Sequence, residues 1–480
     1  AAKDIILEVL RLFSTKGNVG SVFEYFGDGV KTLSVPERAT IANMGAECGV
    51  TTSIFPSDET TRRFLESQDR GNDWVELSPD GNAEYERVVS IDLSSLEPLA
   101  ATPHSPGNVE TVRALSGLHV DQVCIGSCTN GSYRDLAVAA SILKDKIVHK
   151  DISLIVAPGS RQVLENLARD GYLADLVAAG ARIDECACGF CIGNSCSPGS
   201  KSVSLRTSNR NFRGRSGTPD ADLYLVSCET AAAAAVTGRI TDPRDLDMPF
   251  PPIKLPSTFR VNDGMILHPA DPDTASGLEI RRGPNIGPPP VGKTFPETIN
   301  GKVLIKVDDQ VTTDHIMPAG ARMKYRSNIP RYADFVFEPI DPSFPSRARA
   351  AENEGFKGII VAGLSYGQGS SREHAALCPM HLGVRVVIAK SFERIHAANL
   401  VNFGILPLVF ADEADHDTVE PGDLLDVPEI RNIIANENVL TVHNRTKGIN
   451  FRAGFNLTER QRSILLAGGA LNLVRKKKGN

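Results

Sequence analysis

No apolar run in this 480-residue sequence approaches the ~20 residues that a helix needs to cross a bilayer. The opening stretch "AAKDIILEVL" also lacks the charged region, apolar core and cleavage site of a secretory signal. Positive charge is not in excess: 52 Lys and Arg against 58 Asp and Glu give a net charge of −6. Nucleic acid is therefore not an expected partner, and the basic tail "RKKKGN" reads as a solvated end. Cysteine is sparse, with nine residues, which a reducing compartment would keep as thiols or metal ligands rather than disulfides. The expected location is the cytoplasm, or the mitochondrial matrix in a eukaryote. No internal repeat or low-complexity segment stands out, and there is no initiating methionine, so a processed product or fragment is expected.

What is present is ordinary for a soluble globular chain: 41% hydrophobic and 23% charged residues exclude a collagenous or disordered class. The length calls for two to four domains. From about residue 118, short apolar runs alternate with helical patterns ("VDQVCIG", "SYRDLAVAASILKD", "ISLIVAPGS", "RQVLENLARDGYLADLVAAG", then "ADLYLVSC" and "ETAAAAAVTG"). That alternation predicts an α/β fold, a parallel sheet with crossover helices. The expected division is an α/β domain over residues 1–102, a second over 103–245, a Pro-rich linker over 246–297 and a strand-rich domain over 298–480.

Three constellations carry chemistry. In "IGSCTNGSY", Cys128 follows an apolar strand and directly precedes a helix, where free N–H groups and the helix dipole favour a thiolate. In "CACGFCIG", Cys188 and Cys191 sit in a Gly-containing turn that lets both sulfurs face one centre. Three cysteines fit an iron–sulfur cluster with one iron left without a protein ligand, or a closed zinc site with Cys186 or Cys196 as fourth ligand. In "YGQGSSREHAAL", two glycines, Ser370, Ser371 and Arg372 at a helix start suit a carboxylate or phosphate, while Ser370 and Glu373 have the spacing of a capping box. The G-K-[ST] ending of a P-loop is absent. "SNRNFRGR" adds Asn209, Arg210 and Arg215, and "TTDHIMPAGARMKYR" adds Asp314, His315 and Arg326. Arginines in three separate segments point to a substrate with several carboxylates, each held by a planar guanidinium, although surface arginines are commonly just solvated.

Taken in order, "NMGAECG", "GSCTN", "CGFCIG", "SNRNFRGR", "TTDHI" and "YGQGSSREHAAL" resemble the aconitase family over nearly the whole chain. The resemblance implies an aconitase-like pair of α/β domains followed by a linker and a C-terminal swivel domain. It also implies a 4Fe-4S cluster on Cys128, Cys188 and Cys191, with Ser370 as catalytic base. Substrate contacts would fall on Asn209, Arg210, Arg215, Arg326, Ser371 and Arg372, with Asn43, Glu47, Asp314 and His315 near the cluster. The implied activity is reversible isomerisation of citrate to isocitrate by dehydration and rehydration, on a small-molecule tricarboxylate and by a monomer. Phe190 stands where relatives commonly have proline, and the family's first domain, with its Asp-Ser-His segment, has no counterpart here. Rival expectations are an isopropylmalate or homoaconitate isomerase of the same family, and an apo-form regulator that binds RNA.

Overall fold

The computed structural model describes residues 1–369 and 372–477, without the side chain of Ala321. The chain falls into two compact units, Ala1–Ala270 and Asp271–Asn480. No helix among the described residues is long and apolar enough to cross a membrane.

The first unit is built on a seven-stranded sheet. Its strands run in the spatial order Val109–Thr111, Leu99–Ala101, Asp222–Leu225, Val203–Arg206, Gln122–Gly126, Ser153–Ala157 and Arg182–Ile183. The five from Asp222–Leu225 onward are parallel, as the alternating pattern predicts, and the other two form an antiparallel edge. Gln122–Gly126 is buried throughout, with Val123 and Ile125 in the helix-covered core and Cys124 against Phe190 and Cys191 on the other face, which is why the strand reads as a continuous apolar run. Helix Cys228–Thr237 presents a row of fully buried alanines, Ala231 to Ala235, small enough to let it lie close to the sheet.

Residues 1–102 have a core of their own, with Ile6, Leu7 and Leu10 from helix Ala2–Phe13 meeting Ile41 and Met44 from helix Val35–Gly45. That core closes on Leu99, Ala101 and Leu225, which belong to the seven-stranded sheet. The expected boundary near residue 102 is thus not a gap between compact units: the chain before it supplies a strand to the sheet after it.

Among the described residues of 246–297 the one regular element is the short helix Pro272–Ala275, and most side chains there are exposed. The second unit is organised around a closed seven-stranded barrel. Ile299–Val307, Lys357–Ala362, Val384–Ala389 and Leu406–Phe410 run parallel, and Ile449–Gly454, Val439–Asn444 and Leu424–Val427 complete the ring by antiparallel pairing. Alternate residues go to opposite cores: Ile359 and Val361 join one with Leu406 and Phe451, Ile360 and Ala362 another with Tyr332, Phe337 and Phe344.

A thiol and anion site in the first unit and an arginine loop in the second

The turn after strand Gln122–Gly126 is sharp. Gly126 has φ 119° and Ser127 has φ 69°, and a Cβ on Gly126 would run into the Ala157 carbonyl. Only a residue without a side chain fits there. Cys128 lies in the single-turn helix Ser127–Asn130 with its thiol exposed. The sequence places it directly before a long helix, whereas the structure ends that turn at Gly131 and starts the long helix at Tyr133, capped by Ser132. At Gly131 a Cβ would strike the Ser127 carbonyl and the Gly159 N–H, and that N–H donates to the Gly131 carbonyl at 2.8 Å.

Helix Val35–Gly45 is tied to this turn. The Thr40 hydroxyl donates to the Thr129 carbonyl at 2.8 Å, and the Thr129 hydroxyl donates to Asn43 Oδ1 at 3.2 Å. Asn209 Nδ2 donates to the same Asn43 oxygen at 3.1 Å. Glu47 and Arg210, both largely buried, stand 2.8 Å apart as an ion pair. Burial pushes the Glu47 carboxyl above its ordinary range, while Arg210, Arg215 and Lys3 pull it back.

Cys188 and Cys191 lie on the loop around the short helix Phe190–Ile192. Burial raises the Cys188 thiol, its neighbours Cys191 and Cys128 raise it further, and Arg215 and Arg210 lower it. The three thiols and two of the arginines expected at the site therefore share one electrostatic neighbourhood. Arg215 Nη2 also donates to Cys191 Sγ at 3.7 Å. All nine cysteines are free. The charged neighbours of Cys186 are instead Arg161 and Glu185, and Cys196 acts on Cys124. Among the described residues no three of His, Cys, Asp and Glu are arranged to hold one metal ion. A closed zinc tetrahedron with ~2.3 Å bonds needs a fourth protein ligand beside the three thiols. A cluster asks for less, because each thiolate holds a different iron. The donor set fits it: three unpaired thiols from two loops, with guanidinium groups beside them.

In the second unit, Arg372 is 9% exposed and donates through Nη1 to Asp314 at 2.8 Å and to the Met317 carbonyl at 2.6 Å. Asp314 thus pairs with Arg372 and not with its neighbour His315, whose exposed ring accepts from the Thr312 N–H at 3.2 Å and closes a capping box on helix Thr313–Ile316. The loop leading to Ser370 is fastened to the same segment: the Gly367 N–H donates to the Val311 carbonyl at 2.8 Å, and the Thr313 N–H donates to the Gln368 carbonyl at 2.9 Å. Gly367, at φ 87°, lies so close to the His396 ring that a Cβ would strike it. Ser370 and Ser371 lie outside the described residues. Helix His374–His381 has Glu373 as its N-cap, and the expected Ser370–Glu373 capping box lies outside the described residues. Arg326 is exposed, and its carbonyl is 2.8 Å from His374 Nε2.

Sequence reasoning misses three residues. Arg206, fully buried, donates to the Phe190 carbonyl, to Gln122 at 2.8 Å and to the Cys196 carbonyl at 3.4 Å, and it lies 5.6 Å from the Phe190 ring centre. It clamps the Cys188–Cys191 loop to the sheet, with Phe190 as the filler. His374 steadies Arg326. Lys3, also fully buried, bonds the segment before Asn209. A signal for Lys3 was available, because it shares the apolar helix face of Ile6, Leu7 and Leu10.

Comparison with known proteins gives the family. Residues 1–238 match the model of the aconitase family (aconitate hydratase), and residues 304–413 match the aconitase C-terminal domain. A probable mitochondrial aconitate hydratase of Caenorhabditis elegans is 32% identical over 99% of this chain and 68% of its own length. The mitochondrial aconitate hydratase of Saccharomyces cerevisiae is 35% identical over 88% of this chain and 62% of its own. A mitochondrial homocitrate dehydratase of the same yeast is 31% identical over 98% and 69%. The chain thus spans about two thirds of the length of these relatives. With both family models matched in order, and the cysteine and arginine loops of the first unit drawn together, this chain belongs to the aconitase family.

Proposed function

We propose that the chain acts as a hydro-lyase, interconverting citrate and isocitrate through cis-aconitate. The observation that carries this reading is the shared neighbourhood of Cys128, Cys188 and Cys191 with Arg210 and Arg215, metal-type donors beside carboxylate-type receptors. Cys128, Cys188 and Cys191 would hold a 4Fe-4S cluster. When bound, such a cluster supplies an open iron that acts as a Lewis acid toward a hydroxyl and its neighbouring carboxylate.

The other groups bind and move protons. Asn209, Arg210 and Arg215 hold carboxylates, and Asn43 fixes Asn209 by accepting from its amide. Glu47, raised by burial, holds a proton to higher pH than an ordinary carboxyl and so suits the side of the reaction where hydroxide leaves. Ser370 takes the C–H proton beside a carboxylate, Ser371, Arg326 and Arg372 hold the intermediate, and Asp314 fixes Arg372. The substrate is a small tricarboxylate, the acting species a monomer, and nucleic acid plays no part. All three relatives carry mitochondrial names, and a mitochondrial matrix or a cytoplasm both suit free thiols.

The test is anaerobic reconstitution with iron and sulfide, followed by citrate, homocitrate and isopropylmalate as substrates, read by the ultraviolet absorption of the conjugated alkene. Citrate should turn over fastest. Faster turnover of homocitrate, the substrate class in the name of one relative, or of isopropylmalate would overturn the choice.

A further inference from the structure

Lys3 stands at the start of helix Ala2–Phe13 with no exposed surface to speak of. Its ammonium group donates to the Thr207 carbonyl at 2.9 Å, the Ser208 carbonyl at 3.0 Å and the Met44 sulfur at 3.2 Å. Those bonds use all three of its protons, yet no carboxylate is among the partners. Dehydrating an ammonium ion against neutral acceptors is costly, and a buried cation persists where something anionic repays it. The positions of its acceptors show what it can serve. Asn209 and Arg210 directly follow Ser208, and Met44 lies between Asn43 and Glu47, so one group ties the backbone of one segment to the Met44 side chain of the other, the two segments that furnish these four side chains. Thr207 carries the connection further, because its hydroxyl accepts from the Gly126 N–H at 2.8 Å at the turn into Cys128.

We propose that Lys3 is a positioning residue of the anion site and the buried positive charge that balances the anionic group held by Cys128, Cys188 and Cys191. This rests on the function proposed above. Arg210 is already paired with Glu47, so its charge is partly spent before a tricarboxylate arrives. Among the described residues Lys3 has no such ion-pair partner, and in a poorly hydrated interior its field is weakly screened. Burial lowers its pKa to about 8, opposed by Cys228, Asp135, Cys128 and Asp4, and Glu47 also feels its charge. It is therefore protonated near neutrality.

The experiment compares the full chain, anaerobically reconstituted, with Lys3→Met, which keeps the length and loses the charge, and with Lys3→Arg, which keeps the charge. Four properties are read: iron and sulfide per chain, thermal midpoint, citrate affinity by calorimetry and cluster reduction potential. Lys3→Met should retain iron and sulfide, bind citrate at least ~10-fold more weakly, and show a lower potential, because the reduced cluster is the more negative form. Lys3→Arg should recover part of both. A purely structural lysine would lower the thermal midpoint and leave affinity and potential unmoved, and that result overturns the proposal. If Lys3→Met fails to fold, Lys3→Gln decides on the same four properties, and citrate affinity and potential that both stay unmoved overturn the proposal. An unaltered chain that takes up no labile sulfide, or binds no citrate, overturns the proposed function with it.

Discussion

The nine cysteines differ sharply in what surrounds them. Cys48, Cys124, Cys228 and Cys378 are buried and their thiols pushed up by burial, so they behave as inert core residues. Cys188 has Cys128, Cys191, Arg215 and Arg210 as charged neighbours, and Arg215 also bonds Cys191. Cys128→Ser should therefore abolish cluster assembly, whereas Cys186→Ser should leave it, counted as iron and acid-labile sulfide per chain. Equal loss from both would mean that the ligand set is wrong. Arg372 commits Nη1 to both Asp314 and the Met317 carbonyl, and Arg372→Lys loses the other guanidinium N–H groups that would receive a carboxylate. It should raise KM and lower kcat together, by about 10- to 100-fold in kcat/KM, because a point charge cannot hold two directions at once. Lys3 gives a pH signature of stability. Its folded pKa of about 8 lies below the ordinary 10.5, so the unfolded chain binds more protons between those values and stability rises with pH across that window. Relative to Lys3→Met, the unaltered chain should gain about 1.4 kcal/mol per pH unit there, measured by denaturant titration. A gain at lower pH instead would contradict the assigned shift.

At the scale of elements, two glycine turns set the geometry of the two units, and each can be tested against the other. Gly126→Ala must displace the Ala157 carbonyl and adopt φ 119°, which ordinary side chains resist. It should destabilise the first unit by about 2–4 kcal/mol and reduce iron uptake. Gly367→Ala meets the His396 ring in the second unit and should cut turnover while iron uptake stays normal. Iron loss from Gly367→Ala would show that its effect reaches the first unit. Arg206 plays the corresponding part for the cysteine loop: strand Val203–Arg206 places it under Phe190, and four hydrogen-bonded groups receive its guanidinium. The phenylalanine that replaces the expected proline is therefore a packed side chain, 1% exposed, and not a loosened turn.

For the molecule as a whole, the compact units meet at 270 and 271, within the stretch whose proline content marks it as a connection. Leu267 is 94% exposed there and most neighbouring side chains are exposed as well. Brief proteolysis should cut between about residues 260 and 290 before it cuts either core, giving two fragments by mass spectrometry. If the chain is reconstituted first, iron should remain with the N-terminal one. Early cleavage near residue 102 would instead revive the boundary expected there, which the pairing of Leu99–Ala101 with Asp222–Leu225 argues against.

The sequence by itself determined the parallel α/β sheet, because strands buried on both faces must be apolar runs and crossover helices must intervene. It also determined the segments that carry the site, since Cys128, the C-x-x-C pair and "SNRNFRGR" are local patterns of rare residues in turns. Tertiary structure decided the pairings. That Asp314 meets Arg372 and not His315, that Asn43 serves both Thr129 and Asn209, and that the chain before residue 102 shares a sheet with the chain after it all depend on contacts distant in sequence. It likewise decided which cations are buried. Lys3 and Arg206 look like ordinary charged residues in the chain, and only packing, by removing water and leaving carbonyls as partners, gives them their roles.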